Sequence, residues 1–81
     1  MTVRLLFFAV LRDIAGSDAR QLWLEEGTTA GDVWQSLRAN YTKLADYSQP
    51  PMIAINETYA RPDTALRDGD ELAFIPPVAG G

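Results

Sequence analysis

The sequence contains no cysteine and no histidine in its 81 residues. Without thiols it cannot form disulfides, build a zinc finger or use thiol catalysis, and without imidazole it has no Ser-His triad and no His-based proton transfer. Positive charge is also scarce. Seven Lys and Arg stand against eleven Asp and Glu, for a net charge of -4, and the basic residues are scattered rather than clustered. A nucleic-acid partner is therefore not expected, because the phosphate backbone is held by grouped cations. Long apolar runs are missing too. The longest, Leu5 to Leu11, falls well short of the roughly 20 residues that span a bilayer. Only Arg4 precedes it and no small-residue cleavage site follows, so it reads as a strand rather than a leader. A cytoplasmic location without membrane contact is the default expectation.

What remains is a globular composition. Hydrophobic residues make up 47% of the chain and aromatic residues 10%, too apolar for disorder at this modest charge. The length suits one domain.

Val3 to Leu11 is almost continuously apolar and predicts a central strand covered on both faces. Arg12, Asp13 and Gly16 end it. Ala19 to Leu24 predicts a second strand, joined to the first as a hairpin by a loop at 15–18. Thr29 followed by Asp32 has the spacing of a capping box and opens a helix running to about Asn40. Val33, Trp34, Leu37 and Tyr41 form its apolar stripe. Residues 42–49 predict a short helix and loop ending at Pro50-Pro51. Met52 to Ile55 and Thr58 to Ala60 predict short strands about a turn at Asn56-Glu57. Asp68-Gly69-Asp70 predicts a turn before a last strand, Glu71 to Ile75. This order describes an α+β, ubiquitin-like β-grasp fold over residues 1–75, a mixed sheet under one main helix with the last strand beside the first.

Residues 76–81 read as a separate extended tail. Pro76 and Pro77 remove two backbone donors and direct the chain out of the sheet. At about 3.3 Å per residue, Pro76, Pro77, Val78, Ala79, Gly80 and Gly81 reach on the order of 20 Å. Gly80 and Gly81 lack Cβ atoms, so the tip fits a narrow channel and the terminal carbonyl of Gly81 is open to attack. A carboxylate becomes an acyl donor once adenylated, and a sulfur nucleophile that displaces AMP leaves a thiocarboxylate.

Gly69-Asp-Glu-Leu-Ala-Phe-Ile-Pro-Pro-Val-Ala-Gly-Gly81 and Leu5-Leu-Phe-Phe-Ala-Val-Leu-Arg12 closely resemble the two ends of the molybdopterin synthase small subunit family. The resemblance extends through the central helix and the Ala54-Ile55-Asn56 turn entry, and is weakest at 40–50. It implies a carrier that binds no cofactor of its own. A ubiquitin-activating-type adenylyltransferase would use ATP to adenylate Gly81, and a sulfur donor would convert it to the thiocarboxylate. The synthase large subunit, in a heterotetramer with two small subunits, would receive the tail and form the molybdopterin dithiolene from precursor Z. Enzyme activity would belong to the sulfur-donating subunit within that assembly, with no side-chain catalysis in this chain alone.

Strand parity adds an expected docking face. Arg4 and Glu71 mark the outward sides of their strands, which puts Leu6, Phe8 and Val10 on the outer face of the first and Ala73 and Ile75 on that of the last. Contiguous exposed apolar surface marks an interface. The resemblance implies that Phe8, Tyr59 and Ile75 belong to that patch, with Arg12 at the strand end beside it. The competing reading gives Phe8 and Ile75 a second small core. Asp63, Asp68, Asp70 and Glu71 fit no complete metal loop and read as turn residues, with no metal site expected. Trp23 and Trp34 are both expected in the core. Three other functions share the features above: a carrier for thiamin or another sulfurated metabolite, a ubiquitin-like protein modifier, and a binding module with an incidental tail.

Overall fold

The computed structural model describes residues 1–8, 10–46 and 51–75. Along the chain run β1 (Thr2–Phe7), α1 (Val10–Ala15), β2 (Ala19–Trp23), α2 (Ala30–Asn40), a 3₁₀ turn (Thr42–Asp46), β3 (Met52–Ile55), β4 (Thr58–Ala60) and β5 (Glu71–Ile75). The strands form one sheet in the order β2-β1-β5-β3-β4. β1 and β5 are parallel, and every other pair is antiparallel. The arrangement is a β-grasp, with the last strand in the middle of the sheet beside the first.

Alternation governs β1. Val3, Leu5 and Phe7 are buried, while Arg4 is exposed and Leu6 half-buried. The strand ends at Phe7 rather than at Leu11, and the expected simple hairpin loop contains α1 instead. Leu11 N donates to Phe8 O at 3.0 Å, and Gly16 N donates to Arg12 O at 2.9 Å. Gly16 has a φ of 75°, the left-handed conformation that closes a helix. The apolar run continues through the corner because Leu11 is 3% exposed and Ile14, three residues on, packs against the same core from the helix. Val10, expected on the outer strand face, is instead the first residue of α1.

The expected start of α2 holds. Asp32 N donates to Thr29 Oγ1 at 3.1 Å, and Thr29 N donates to Asp32 Oδ2 at 3.0 Å, completing the capping box. Ala30, Val33, Trp34 and Leu37 are buried beneath the helix, and Tyr41 is partly buried at its end. The loop from Arg61 to Asp70 closes the helix's N-terminal end. Gly31 N donates to Pro62 O at 2.8 Å, and a Cβ on Gly31 would meet that oxygen at 3.0 Å. Glycine is required there by close approach of two backbones.

The core lies between α2 and the inner sheet face. Phe74, Leu5, Leu72 and Val3 are fully buried, and burying each such side chain is worth about 1.5–3 kcal/mol. Trp34 packs on Phe74 with ring centroids 5.2 Å apart and planes tilted by 53°, within the range for favourable aromatic pairs. Trp23 departs from expectation: it is 83% exposed. Its β2 neighbour Leu22 packs against the core, so alternation sends Trp23 outward.

Candidate functional site

The outer face of the sheet has no covering element among the described residues. Strand register builds it in rows. Leu6 stands beside Ala73, Ala73 opposite Ala54, and Ala54 opposite Tyr59, a line across four strands. One step toward the end of β5, Ile75 stands opposite Met52. The small side chains of Ala54 and Ala73 make a floor, and the larger neighbours Leu6, Phe8, Tyr59 and Ile75 wall a shallow concavity of about 280 Å³. Phe8 is 46% exposed and Tyr59 71%. Covering β1 on both faces is therefore not what the structure does, and Phe8 and Ile75 serve no second core. A protein rarely leaves such contiguous apolar surface uncovered unless something binds it.

The β3–β4 hairpin brings Tyr59 to this face, and its turn is built from two non-glycine residues in the left-handed region. Asn56 has a φ of 52° and Glu57 a φ of 68°, as a two-residue hairpin turn demands. Asn56 holds the turn against β5. Its N–H donates to Glu71 O at 2.8 Å, its Oδ1 accepts from Glu71 N at 3.0 Å, and its Nδ2 donates to Asp70 Oδ1 at 2.8 Å. The acidic residues near this turn are thereby engaged as turn residues: Asp70 Oδ2 also accepts from Arg67 N at 2.8 Å, and Asp68 Oδ1 accepts from Thr2 N at 2.6 Å.

Of the residues singled out in the sequence, Phe8, Tyr59 and Ile75 come together at the concavity. Arg12 does not line it. It lies in α1 rather than at a strand end, with its Nε 3.6 Å from Asp18 Oδ1 and both side chains largely exposed, a pair that contributes little to stability. Pro76, Pro77, Val78, Ala79, Gly80 and Gly81 lie outside the described residues. Sequence reasoning missed Met52, which is 53% exposed opposite Ile75, and the acidic margin formed by Glu57 and Glu71. The signal for Met52 was present, since Ile53 and Ile55 face the core and period-two alternation turns Met52 and Ala54 outward.

Comparison with known proteins adds a lineage to this geometry, because the ThiS family matches residues 5–81, nearly the whole chain. The chain belongs to the ThiS family. Among ThiS-family relatives, the molybdopterin synthase sulfur carrier subunit of Mycobacterium tuberculosis is 38% identical, over 98% of this chain and 96% of that protein. The protein of the same name from Haemophilus influenzae is 40% identical over 98% and 99%. Small archaeal modifier protein 3 of Haloferax volcanii is 35% identical over 100% of both. A solution structure of a Haloferax volcanii protein superposes with a TM-score of 0.87 at 34% identity, covering 100% of this chain and 87% of that one. Among the described residues of this ThiS-family chain, no helix is long and apolar enough to cross a membrane.

Proposed function

We propose that this chain is the sulfur-carrier small subunit of a molybdopterin synthase, with Gly81 as its reactive residue. The place of β5 carries the reading. That strand ends at Ile75, which itself lines the apolar concavity, so a partner seated on Phe8, Tyr59 and Ile75 meets the chain where Pro76 to Gly81 begin. The relatives named sulfur carrier subunits support it at full length. In this reading an adenylyltransferase docks on the face and transfers AMP from ATP to the Gly81 carboxylate, releasing pyrophosphate. A sulfur donor then displaces AMP and leaves the thiocarboxylate. The carrier next docks on the large synthase subunit. Its C–S bond breaks as sulfur passes to precursor Z, and water restores the carboxylate. The dithiolene holds two sulfurs, so two such transfers are needed. No side chain here has to exchange a proton, in keeping with a sequence that lacks His and Cys.

A second reading, prompted by the relative named a modifier protein, has the same adenylate pass to a lysine amine on a target protein. One experiment separates them. The chain is incubated with an adenylyltransferase, ATP and a sulfur donor, and its intact mass is measured; precursor Z and a large subunit are then added and molybdopterin is assayed. A carrier exchanges one oxygen for one sulfur and yields product, and deleting Gly81 or adding one residue after it abolishes both. Conjugates on other proteins without thiocarboxylate would establish the modifier instead.

A further inference from the structure

The opposite edge of the sheet supports an interaction of its own. β2 is an edge strand, and its bonding to β1 is fixed by the narrow pairs that bracket it: Leu24 N donates to Met1 O at 2.9 Å, and Phe7 N donates to Asp18 O at 2.8 Å. With the register Val3 to Leu22 and Leu5 to Arg20, alternation assigns the backbone groups of Arg20 and Leu22 to β1. Those of Ala19, Gln21 and Trp23 point away from the sheet. Among the described residues nothing pairs with them. Native edges are usually blunted by proline, bulges or clustered charge. β2 is regular, contains no proline and carries Arg20 as its single charge.

We propose that two copies of this chain associate through antiparallel pairing of β2 with β2, centred on Gln21. Only a second copy is specified by the strand's own residues. A two-fold axis at Gln21 sets Gln21 against Gln21 and Ala19 against Trp23, in a register that joins all the outward-pointing backbone groups of both strands. The same register places each exposed indole over the other copy's Ala19, the smallest side chain on that face of β2. Ala19 is itself the neighbour of Leu6, so Trp23 of one copy extends the apolar face of the other. On the reverse face Arg20 lies over Leu22, which keeps the two guanidinium groups diagonal rather than opposed. Ile75 and Tyr59 stand two or more strands away and remain free. A contact this small lies below the roughly 1,200 Å² of stable interfaces, so the dimer is weak and forms with rising concentration.

Sedimentation equilibrium and a cross-link test the register. The weight-average mass of the wild-type chain should climb from monomer toward dimer between roughly 10 µM and 1 mM, the range of weak association. Gln21→Pro removes an outward N–H without breaking a β1 bond, and Trp23→Glu charges the contact; with unchanged far-ultraviolet spectra, both should remain monomeric at the highest concentration. Gln21→Cys supplies the only thiol in the chain. Directly opposed, hydrogen-bonded residues have Cα atoms about 5.5 Å apart, inside the disulfide range, so mild oxidation should cross-link this variant at least about tenfold faster than Glu26→Cys, whose thiol lies off the strand. Monomeric mass throughout, equal cross-linking of the two cysteine variants, or association of the folded Gln21→Pro protein at the wild-type level would overturn the proposal.

Discussion

Replacing Asn56 tests how the hairpin that carries Tyr59 is held to the centre of the sheet. Its side chain makes two hydrogen bonds, to Glu71 N and to Asp70 Oδ1, worth about 0.5–1.5 kcal/mol each and toward the lower end at this exposed position. Asn56→Gly removes both and loosens the unfolded chain by about 0.5 kcal/mol more, for a total near 2 kcal/mol. Asn56→Ala removes the same bonds and forces a Cβ-bearing residue without a polar side chain into the left-handed region at φ 52°. That strain adds about 1–2 kcal/mol, so the alanine variant should lose about 3 kcal/mol. For a domain of this size each kcal/mol lowers Tm by about 4–8 °C. Urea unfolding and calorimetry read both variants. Asn56→Asp adds a sign test: it keeps the acceptor for Glu71 N but sets a carboxylate against Asp70, so its deficit should be large at neutral pH. Added salt screens that repulsion, so the deficit should shrink as ionic strength rises. If alanine costs no more than glycine, or the aspartate deficit is independent of salt, the hairpin is held by something other than this side chain.

Ala73→Leu adds bulk to the concavity floor at a position that is 8% exposed; crowding its neighbours should cost about 1–3 kcal/mol, read as a lowered Tm with the cooperative transition kept. Titration calorimetry against the large subunit should show affinity falling about 30-fold, the loss typical of an interface centre. Phe74→Ala removes a fully buried ring packed at a tilt against Trp34 and should cost about 3–5 kcal/mol, most of the stability such a domain has, seen as loss of the cooperative thermal transition. Thr29→Ala breaks the capping box and should cost about 1 kcal/mol by urea denaturation.

Where local chemistry decides structure, the sequence was legible. The Thr29–Asp32 box, the Asn56-Glu57 turn and the final strand all lie where residue type and spacing put them. Misreading arose where hydrophobicity alone was followed. Leu11 is apolar in a helix as in a strand, and what separates the two is Gly16 as a helix terminator, a signal outweighed by the length of the apolar run. Trp23 was assigned by its size, whereas parity with Leu22 sends it outward. The outer apolar face was legible for Phe8 and Ile75 because the parallel neighbours β1 and β5 share one parity. Met52 faces outward by the parity of β3 itself, and only its place opposite Ile75 depended on the antiparallel pairing of β3 with β5, which no local pattern encodes.

The chain's last strand is the keystone between two hairpins, β1–β2 on one side and β3–β4 on the other. A nascent or clipped polypeptide lacking Glu71 to Ile75 has two hairpins with no strand between them, and the inner face loses Leu72 and Phe74 as well. A chain clipped before Glu71 thus loses Ile75 from the concavity together with its fold. Such copies are not decoys able to occupy a partner; they are unfolded chains, open to degradation.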